Sequence, residues 1–343
     1  MWCCARPGFE TCSTHSSVIV IVMPMDRQKI RHQSEYIIFQ ILLFVFRCLP
    51  QRASVTVAET LAWFVACVVP RKFNRYQVSS ENLRRLLGEQ VSERELDETI
   101  FAMWRHLFLM ICEIVQLPRR LRLYNCADIL EFRRRDDCVK AMCSGRPVLF
   151  LGGHFGNWEI GVNTFGVFGF PTGVVARELD NPYLHDWFRR FRESTGNSLI
   201  VKTGAGSELN QIMESGGIAS LLCDQDAGRS GVFVDFFGQP ASTFKSISLL
   251  ALHYDALIVV GGAFRLPSEQ QSRRNRWTRF CLATEDILDA RDFQGADGLK
   301  ELTQQFTSSL ENLIRRAPEQ YFWVHRRWKT PPGARKRQKV SAA

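Results

Sequence analysis

The 343-residue sequence has no run of the ~18 to 20 uninterrupted apolar residues that a transmembrane helix needs. Two shorter uncharged stretches, residues 36–46 and 60–70, are more typical of interfacial or packed helices. Residues 1–25 lack a strongly basic leader and a convincing cleavage site, which disfavours a secretory signal peptide. We expect residues 1–25 to be unstructured or to precede the true start of the protein.

The sequence also lacks C-x-x-C pairs, a G-x-S-x-G element and any nucleic-acid-binding motif. Its eleven cysteines are scattered, which argues against a disulfide framework or a structural zinc site and favours a reducing compartment. A serine hydrolase is disfavoured because its nucleophile turn is missing. The 44 Lys and Arg exceed the 35 Asp and Glu, giving a net charge of +9. This excess favours acidic partners such as anionic lipids, while dispersed basic residues make nucleic-acid binding a weaker alternative.

Residues 26–75 combine the two apolar stretches with basic flanks that include Arg31 and Arg47. Apolar helices with basic flanks are typical of attachment to an anionic membrane leaflet. The alternative is a helical hairpin packed on the main domain. We therefore predict a membrane-associating segment at 26–75, a main domain at 76–330 and a basic, disordered tail at 331–343.

The main domain shows the pattern of an α/β protein. Ser92 and Glu95 form a capping box that opens a long amphipathic helix. From Pro147 onwards, short apolar runs alternate with helical patterns, which is typical of a mostly parallel or mixed central sheet flanked by helices.

The segment 152–159 follows the apolar strand predicted at 147–151. Paired glycines end that strand, and Asn157 is suited to cap a following helix, which places His154 in the intervening loop. If the loop turns, Glu159 can orient the imidazole and make it a general base. From the spacing alone, a histidine that merely bonds the backbone of a tight turn is an equal alternative.

The sequence Gly-His-Phe-Gly-Asn-Trp-Glu at 153–159 resembles the signature of the lipid A biosynthesis lauroyl/myristoyl acyltransferases. These belong to the lysophospholipid/glycerolipid acyltransferase superfamily. Further segments resemble later blocks of that family in the same order: 176–182, 223–226 with 232–238, and 321–330. The resemblance therefore extends over most of the chain.

The resemblance implies a fold like that of glycerol-3-phosphate acyltransferase and an O-acyltransferase at the cytoplasmic face of the cell inner membrane. His154 would be the general base and Glu159 its partner, without an acyl-enzyme intermediate. The implied donor is acyl carrier protein or acyl-CoA, and the implied acceptor is a phosphorylated glycolipid such as a lipid A precursor. A mannosylated phosphoinositide or a lysophospholipid is the alternative acceptor. No metal or cofactor is expected.

Other residues are predicted to bind substrate. Arg177 at a strand end is suited to a phosphate or an oxyanion, although an ion pair with Glu178 or Asp180 is the alternative. Three basic residues near the end of the main domain, His325, Arg326 and Arg327, are suited either to binding a headgroup phosphate or to bracing the fold. The predicted substrate-binding residues are Phe155, Gly156, Asn157, Trp158, Arg177, Asp224, Gln225, Asp226, His325, Arg326 and Arg327.

Overall fold

The computed structural model describes residues 27–201, 205–267, 270 and 277–333. The features predicted for residues 1–25, and those predicted for the tail beyond residue 333, lie outside this part of the chain. The helices are α1 (Arg27–Cys48), α2 (Gln51–Trp63), α3 (Tyr76–Leu87), α4 (Glu93–Arg120), α5 (Cys126–Ile129), α6 (Arg135–Met142), α7 (Trp158–Val167), α8 (Pro182–Glu193), α9 (Ala205–Glu214), α10 (Lys245–His253) and α11 (Gly298–Arg315). The strands are β1 (Leu130–Arg133), β2 (Val148–Gly152), β3 (Thr172–Ala176), β4 (Ser198–Val201), β5 (Ile218–Leu222), β6 (Val232–Phe236), β7 (Gln239–Thr243), β8 (Leu257–Arg265) and β9 (Phe280–Asp289).

A mixed sheet forms the centre of the protein. Within the described residues it has seven strands in the order β1-β9-β8-β2-β5-β3-β4. The β8–β9 pair is antiparallel, and the other neighbouring pairs are parallel. Strands β6 and β7 form a separate antiparallel hairpin. The predicted α/β class with a mixed central sheet is confirmed.

Strand β2 lies in the middle of the sheet and is buried along its whole length. Because side chains alternate along a strand, its residues enter two different cores. Leu149 and Leu151 pack in the largest apolar cluster, which includes residues of α4 and α11. Val148 and Phe150 pack in another cluster with residues of α6 and α7. Both faces of the sheet are therefore covered by helices, which explains why β2 is a continuous apolar run.

Helix α4 is a core helix that begins with the predicted capping box. The Ser92 side chain accepts from the Glu95 backbone, and the Glu95 side chain accepts from the Ser92 backbone. Among the described helices, α4 alone is long and apolar enough to cross a membrane by length and composition, yet 56% of its apolar window is buried inside the protein. The packing of α2, α3 and α1 against α4 accounts for much of that burial.

The two apolar stretches of residues 26–75 form α1 and α2, followed by a π-helix at Phe64–Val68. Helix α1 packs on α4 and α8, and α2 packs on α4. The same segment also leaves large apolar side chains in solvent. We call these residues the N-terminal apolar surface: Ile37, Ile38, Ile41, Leu42, Phe44, Leu61, Trp63, Phe64, Val68 and Phe73.

Candidate active site

The candidate site lies where β2 and β5 end. These strands are parallel neighbours, and their register pairs Gly152 with Leu222. His154 follows Gly152 by two residues, and Asp224 follows Leu222 by two residues. The carboxyl ends of neighbouring parallel strands emerge at the same edge of a sheet, where α/β proteins place their ligand sites. Strand order and register therefore bring the imidazole and the carboxylate together.

Asp224 holds His154 through two contacts. Its Oδ1 lies 2.9 Å from the ring Nδ1, and its Oδ2 accepts a 2.8 Å hydrogen bond from the His154 backbone amide. The Asp224 side chain is completely buried, whereas the His154 side chain is 19% exposed. Since a carboxylate only accepts hydrogen bonds, Nδ1 carries the proton in the neutral ring and Nε2 keeps its lone pair. Nε2 has no hydrogen-bond partner among the described residues.

The two groups shift each other's pKa. Burial lowers the pKa of His154, but the charge of Asp224 and its hydrogen bond outweigh that effect and raise the pKa above its usual value. Burial raises the pKa of Asp224, but the charge and hydrogen bonds of His154 prevail and lower it. The result is an ionised carboxylate beside an imidazole of increased basicity.

Glu159 does not occupy the position beside the imidazole that the sequence predicted. It lies in the first turn of α7 and pairs with Arg192 of α8, with Nε–Oε2 at 3.1 Å and Nη2–Oε1 at 2.6 Å. Both side chains are largely buried. Among the described contacts, the carboxylate that holds the His154 ring is that of Asp224. The Glu159–Arg192 pair is a separate polar element of the same site.

Gly156 and Asn157 fix the shape of the loop. Gly156 has φ +59°, and a Cβ added there would stand 2.0 Å from the carbonyl oxygen of Ala263. The Asn157 side chain accepts a 3.3 Å bond from the Ile160 amide, capping α7, and donates to Glu113 at 3.1 Å. Both residues support the loop, and neither lines the cavity described next. The substrate-binding role predicted for them stays a prediction.

A cavity of about 640 Å³ opens beside His154. Its polar lining includes His154, Glu159, Arg177, Arg192 and Gln225, and the aromatic rings of Phe155, Trp158, Phe188 and Phe244 supply much of the rest. We call it the catalytic cavity. The imidazole lines this cavity and neither of the other two cavities described below.

A second cavity of about 430 Å³ adjoins the first, and we call it the apolar cavity. The two share the lining residues Phe150, Gly161 and Gly262. The remaining walls of the apolar cavity come mainly from hydrophobic side chains, including Phe132, Cys138, Met142, Phe165, Phe168, Phe170 and Leu282. Hydrocarbon is the ligand chemistry that such walls favour.

The segment after α11 closes over the catalytic loop. The Phe322 amide donates to the His154 carbonyl at 2.9 Å, and the Gly156 amide donates to the Gln320 carbonyl at 2.9 Å. The ring of His325 meets that of His154 edge-on with centroids 4.6 Å apart. Burial lowers the pKa of His325 to about 4, so this second imidazole is neutral at physiological pH.

The sequence pattern of the family described as bacterial lipid A biosynthesis acyltransferase matches residues 23–330. The chain belongs to this family. The lipid A biosynthesis lauroyltransferase of Escherichia coli (strain K12) is 30% identical over 189 residues, which cover 54% of this chain and 58% of that protein. The palmitoleoyltransferase of the same strain is 25% identical over 200 residues, covering 57% and 60%. The chain thus aligns with less than two thirds of the length of these relatives.

A phosphatidylinositol mannoside acyltransferase of Mycolicibacterium smegmatis is also similar. It is 29% identical over 142 residues, which cover 40% of this chain and 45% of that protein. The family therefore includes relatives named for two different glycolipids.

Of the remaining predicted site residues, some line the catalytic cavity and others lie away from it. Arg177 lines the catalytic cavity but is 83% exposed and pairs with Asp180 at 3.6 Å, which is the alternative that the sequence left open. Gln225 also lines the cavity. Asp226 lies off it, where its Oδ2 accepts from Thr330 Oγ1 at 2.9 Å.

The three predicted basic residues at the C-terminal side have different positions. Arg327 is 2% exposed, and it donates to the Ser242 carbonyl and, at 2.6 Å, to Thr243 Oγ1. These contacts fit the alternative in which the basic residue braces the fold. Arg326 is exposed, and His325 lies against the His154 ring.

Two relationships were missed by sequence reasoning. Asp224 was expected to line the cleft, but it is buried against His154. Asp224 and His154 each follow shortly after a strand. This shared position was the signal in the sequence that could have predicted their contact. Arg192 was not singled out, because nothing local marks one arginine of α8 as the partner of Glu159.

Proposed function

We propose that the chain is an O-acyltransferase that moves a fatty acyl group from a thioester donor to a hydroxyl of a glycolipid. The observation that carries this proposal is the His154 ring. Its Nδ1 is held by the buried Asp224 carboxylate, while its Nε2 has no hydrogen-bond partner in the described part of the chain and its ring lines the catalytic cavity. A general base needs this arrangement, because one nitrogen is fixed and the other is open to substrate.

The proposed reaction is a direct transfer. His154 Nε2 takes the proton of the acceptor hydroxyl as its oxygen attacks the thioester carbonyl carbon, and Asp224 stabilises the imidazolium that forms. When the tetrahedral intermediate collapses, the carbon–sulfur bond breaks and the thiolate takes the proton from Nε2. Cys223 is a poor nucleophile for an acyl-enzyme route, because burial raises the pKa of its thiol to about 12.

We assign Glu159 and Arg192 to the substrate side of the same step. The Arg192 guanidinium pairs with the buried Glu159 carboxylate, and both groups line the catalytic cavity. A carboxylate there can accept a hydrogen bond from the acceptor sugar, and the guanidinium can stabilise the developing oxyanion. Glu159 thus remains a predicted catalytic residue that works beside His154 rather than by orienting its ring.

The acyl chain is assigned to the apolar cavity. This cavity begins at Phe150, Gly161 and Gly262, which it shares with the catalytic cavity, so a chain can enter it while its carbonyl stays near His154. Gly161 matters for access, because a Cβ added there would meet only the Ala263 Cβ, at 3.9 Å. A larger side chain at residue 161 would project into this space.

The acceptor headgroup is assigned to a third cavity, which adjoins the catalytic cavity. An open cavity of about 800 Å³ lies between α1 and α8, and it shares Arg177 and Leu179 with the catalytic cavity. Lys29 and His32 also line it, which suits a phosphorylated headgroup. We propose a lipid A precursor as the acceptor, with a mannosylated phosphoinositide as the second candidate because a relative is named for that lipid.

The net charge of the chain supports the proposed acyl donor, and the exposed apolar residues near its N-terminus support the proposed location at a membrane. The net charge of +9 suits acyl carrier protein, which is acidic, as the carrier of the thioester, with acyl-CoA as the alternative. The N-terminal apolar surface lies in a segment, residues 27–75, with eight basic and two acidic residues. Such a surface suits the anionic cytoplasmic face of the inner membrane.

The test is a transfer assay on the purified full chain. Acyl carrier protein or CoA thioesters are incubated with lipid A precursor, phosphatidylinositol mannoside or lysophospholipid, and the products are identified by mass spectrometry. We expect His154→Ala to abolish transfer, while the matched control His253→Ala, at an exposed histidine, retains it. Normal transfer by His154→Ala would refute the mechanism. Salt-sensitive DNA retention that persists in His154→Ala, without transfer, would instead favour nucleic-acid binding.

A further inference from the structure

Helix α1 has two faces with different surroundings. On one face, His32, Tyr36, Phe39 and Leu43 recur at helical spacing and are wholly or partly buried. The other face carries half of the residues of the N-terminal apolar surface, which are 50–70% exposed on this helix. The second face of α1 has no protein partner among the described residues, so its apolar side chains stay in contact with water.

The inner face of α1 packs on α8. Phe39 lies edge-on to Trp187 with centroids 5.0 Å apart, and it contacts Phe188 at 6.2 Å. Near the helix start, the Asn181 side chain donates to the His32 carbonyl at 2.9 Å. The other end of α1 is tied to α4, where the Gln116 side chain donates to the Phe46 carbonyl at 3.2 Å.

Helix α8 is also a wall of the catalytic cavity. His185, Phe188 and Arg192 lie on one side of it, at spacings of three and four residues, and all line that cavity. Phe188 therefore touches α1 and lines the cavity, and Arg192, one turn further, holds Glu159. Helix α8 therefore connects α1 with the proposed chemistry.

We propose that contact with an anionic lipid surface orders α1 on α8 and so steadies α8 as a wall of the catalytic cavity, which makes turnover dependent on the bilayer itself. This regulation rests on the proposed acyltransferase function. The occupant is a lipid surface because the exposed apolar residues are flanked by exposed cations such as Lys29, Arg47 and Lys72.

The bilayer can favour the ordered state because it binds that state better. Helices α1 and α2 both pack on α4, so a docked α1 presents its apolar residues on the same body as those of α2 and the π-helix. Two linked surfaces bind a membrane more tightly than either does alone. A detached α1 loses that advantage, and this difference in affinity is what shifts the equilibrium.

The test is hydrogen–deuterium exchange of the full chain with phosphatidylglycerol vesicles, with phosphatidylcholine vesicles and without lipid. We expect saturating phosphatidylglycerol to slow the exchange of α8 amides about tenfold, because the aromatic contacts of Phe39 with Trp187 and Phe188 then persist. In Phe39→Ala the vesicles should still bind, but the slowing in α8 should be lost. Phe39→Leu should restore part of it. The matched control Phe44→Ala, at a residue 70% exposed, should weaken vesicle binding but leave α8 protected at saturation.

Three outcomes would overturn the proposal: unchanged exchange of α8 under saturating vesicles, full protection of α8 in Phe39→Ala, or absence of vesicle binding with light scattering showing a second copy of the chain instead. Unchanged exchange in α11 serves as the internal check that the variants are folded. Because the readout is exchange and not acyl transfer, a chain that binds vesicles and protects α8 without transferring acyl groups would refute the proposed function alone.

Discussion

The carboxylate of Asp224 binds both the backbone amide and the ring Nδ1 of His154, at 2.8 and 2.9 Å. One buried group thereby fixes the main chain and the side chain of the same residue. Rotation of the ring would break the Nδ1 contact, so the orientation of Nε2 is set by a carboxylate that comes from the neighbouring strand rather than from the following helix.

Replacing Asp224 with asparagine should slow acyl transfer by about 10²- to 10⁴-fold, because the imidazolium loses its counter-charge and the tautomer is no longer fixed. Steady-state kinetics of Asp224→Asn measure this loss. Asp235→Asn, at an exposed aspartate of the hairpin, is the control and should transfer at the normal rate. A normal rate in Asp224→Asn would contradict the role given to Asp224.

The pH dependence of the rate should report the His154–Asp224 pair. The base must be neutral, so kcat/KM should rise with pH through the pKa of His154, which Asp224 holds above its usual value. In Asp224→Asn that charge is absent, so the pKa of His154 falls and the rise should move to lower pH, with a lower plateau. A pH–rate profile of both proteins checks the shift. If the rise of kcat/KM occurs at the same pH in both proteins, a group other than His154 is titrating.

The Glu159–Arg192 pair should behave as a buried ion pair. Arg192→Met leaves the Glu159 carboxylate buried without a partner and should destabilise the fold by about 3–5 kcal/mol. The double variant Glu159→Gln/Arg192→Met should recover much of that stability but none of the activity. Denaturant unfolding and transfer assays measure the two effects. If Glu159→Gln alone transferred at the normal rate, Glu159 would have no part in catalysis.

Enlarging residue 161 should shorten the preferred acyl chain. Gly161→Leu extends side-chain atoms from the passage between the two cavities, so long-chain donors should lose kcat/KM by about 10- to 100-fold relative to short ones. The measurement is a competition assay with thioesters of graded length. Gly206→Leu is the matched control, because its position is helical and open to solvent. An unchanged preference in Gly161→Leu would place the chain elsewhere.

Gly156 should tolerate no side chain. Gly156→Ala combines the left-handed backbone with the close approach to the Ala263 carbonyl, so it should cost more than about 1 kcal/mol of unfolding free energy and displace His154. Gly206→Ala, in an exposed helix, should instead stabilise by up to about 1 kcal/mol. Thermal unfolding of both variants provides the comparison, and equal melting temperatures would refute the strain argument.

Local patterns predicted much of the fold. Helix α8 begins and ends where the sequence indicates, because Asn181 caps it and Pro182 has the fixed φ of a first helical residue. Strand β9 was not predicted. Its second half carries Glu285 and Asp286, and it is held by pairing with β8 on one side and β1 on the other. Pairing partners, unlike a buried apolar run, are not visible in the segment itself.

The site was only half predictable for the same reason. The loop with His154 was identifiable from its glycines, its N-cap and its resemblance to the family. The partner of the ring lies 70 residues away and depends on β5 being the neighbour of β2 in a particular register. Glu159, nearer in sequence, was the natural choice, but the helix turns it towards α8.

The hydrogen bonds that join Gln320 and Phe322 to the loop 152–159 also bear on when this site is assembled during synthesis. Phe322 is translated 168 residues after His154, which at about 5–20 residues per second takes roughly ten to thirty seconds. Throughout that interval the nascent chain carries a histidine whose loop has no closing segment. The site around His154 is therefore assembled only after the chain has been made as far as Phe322.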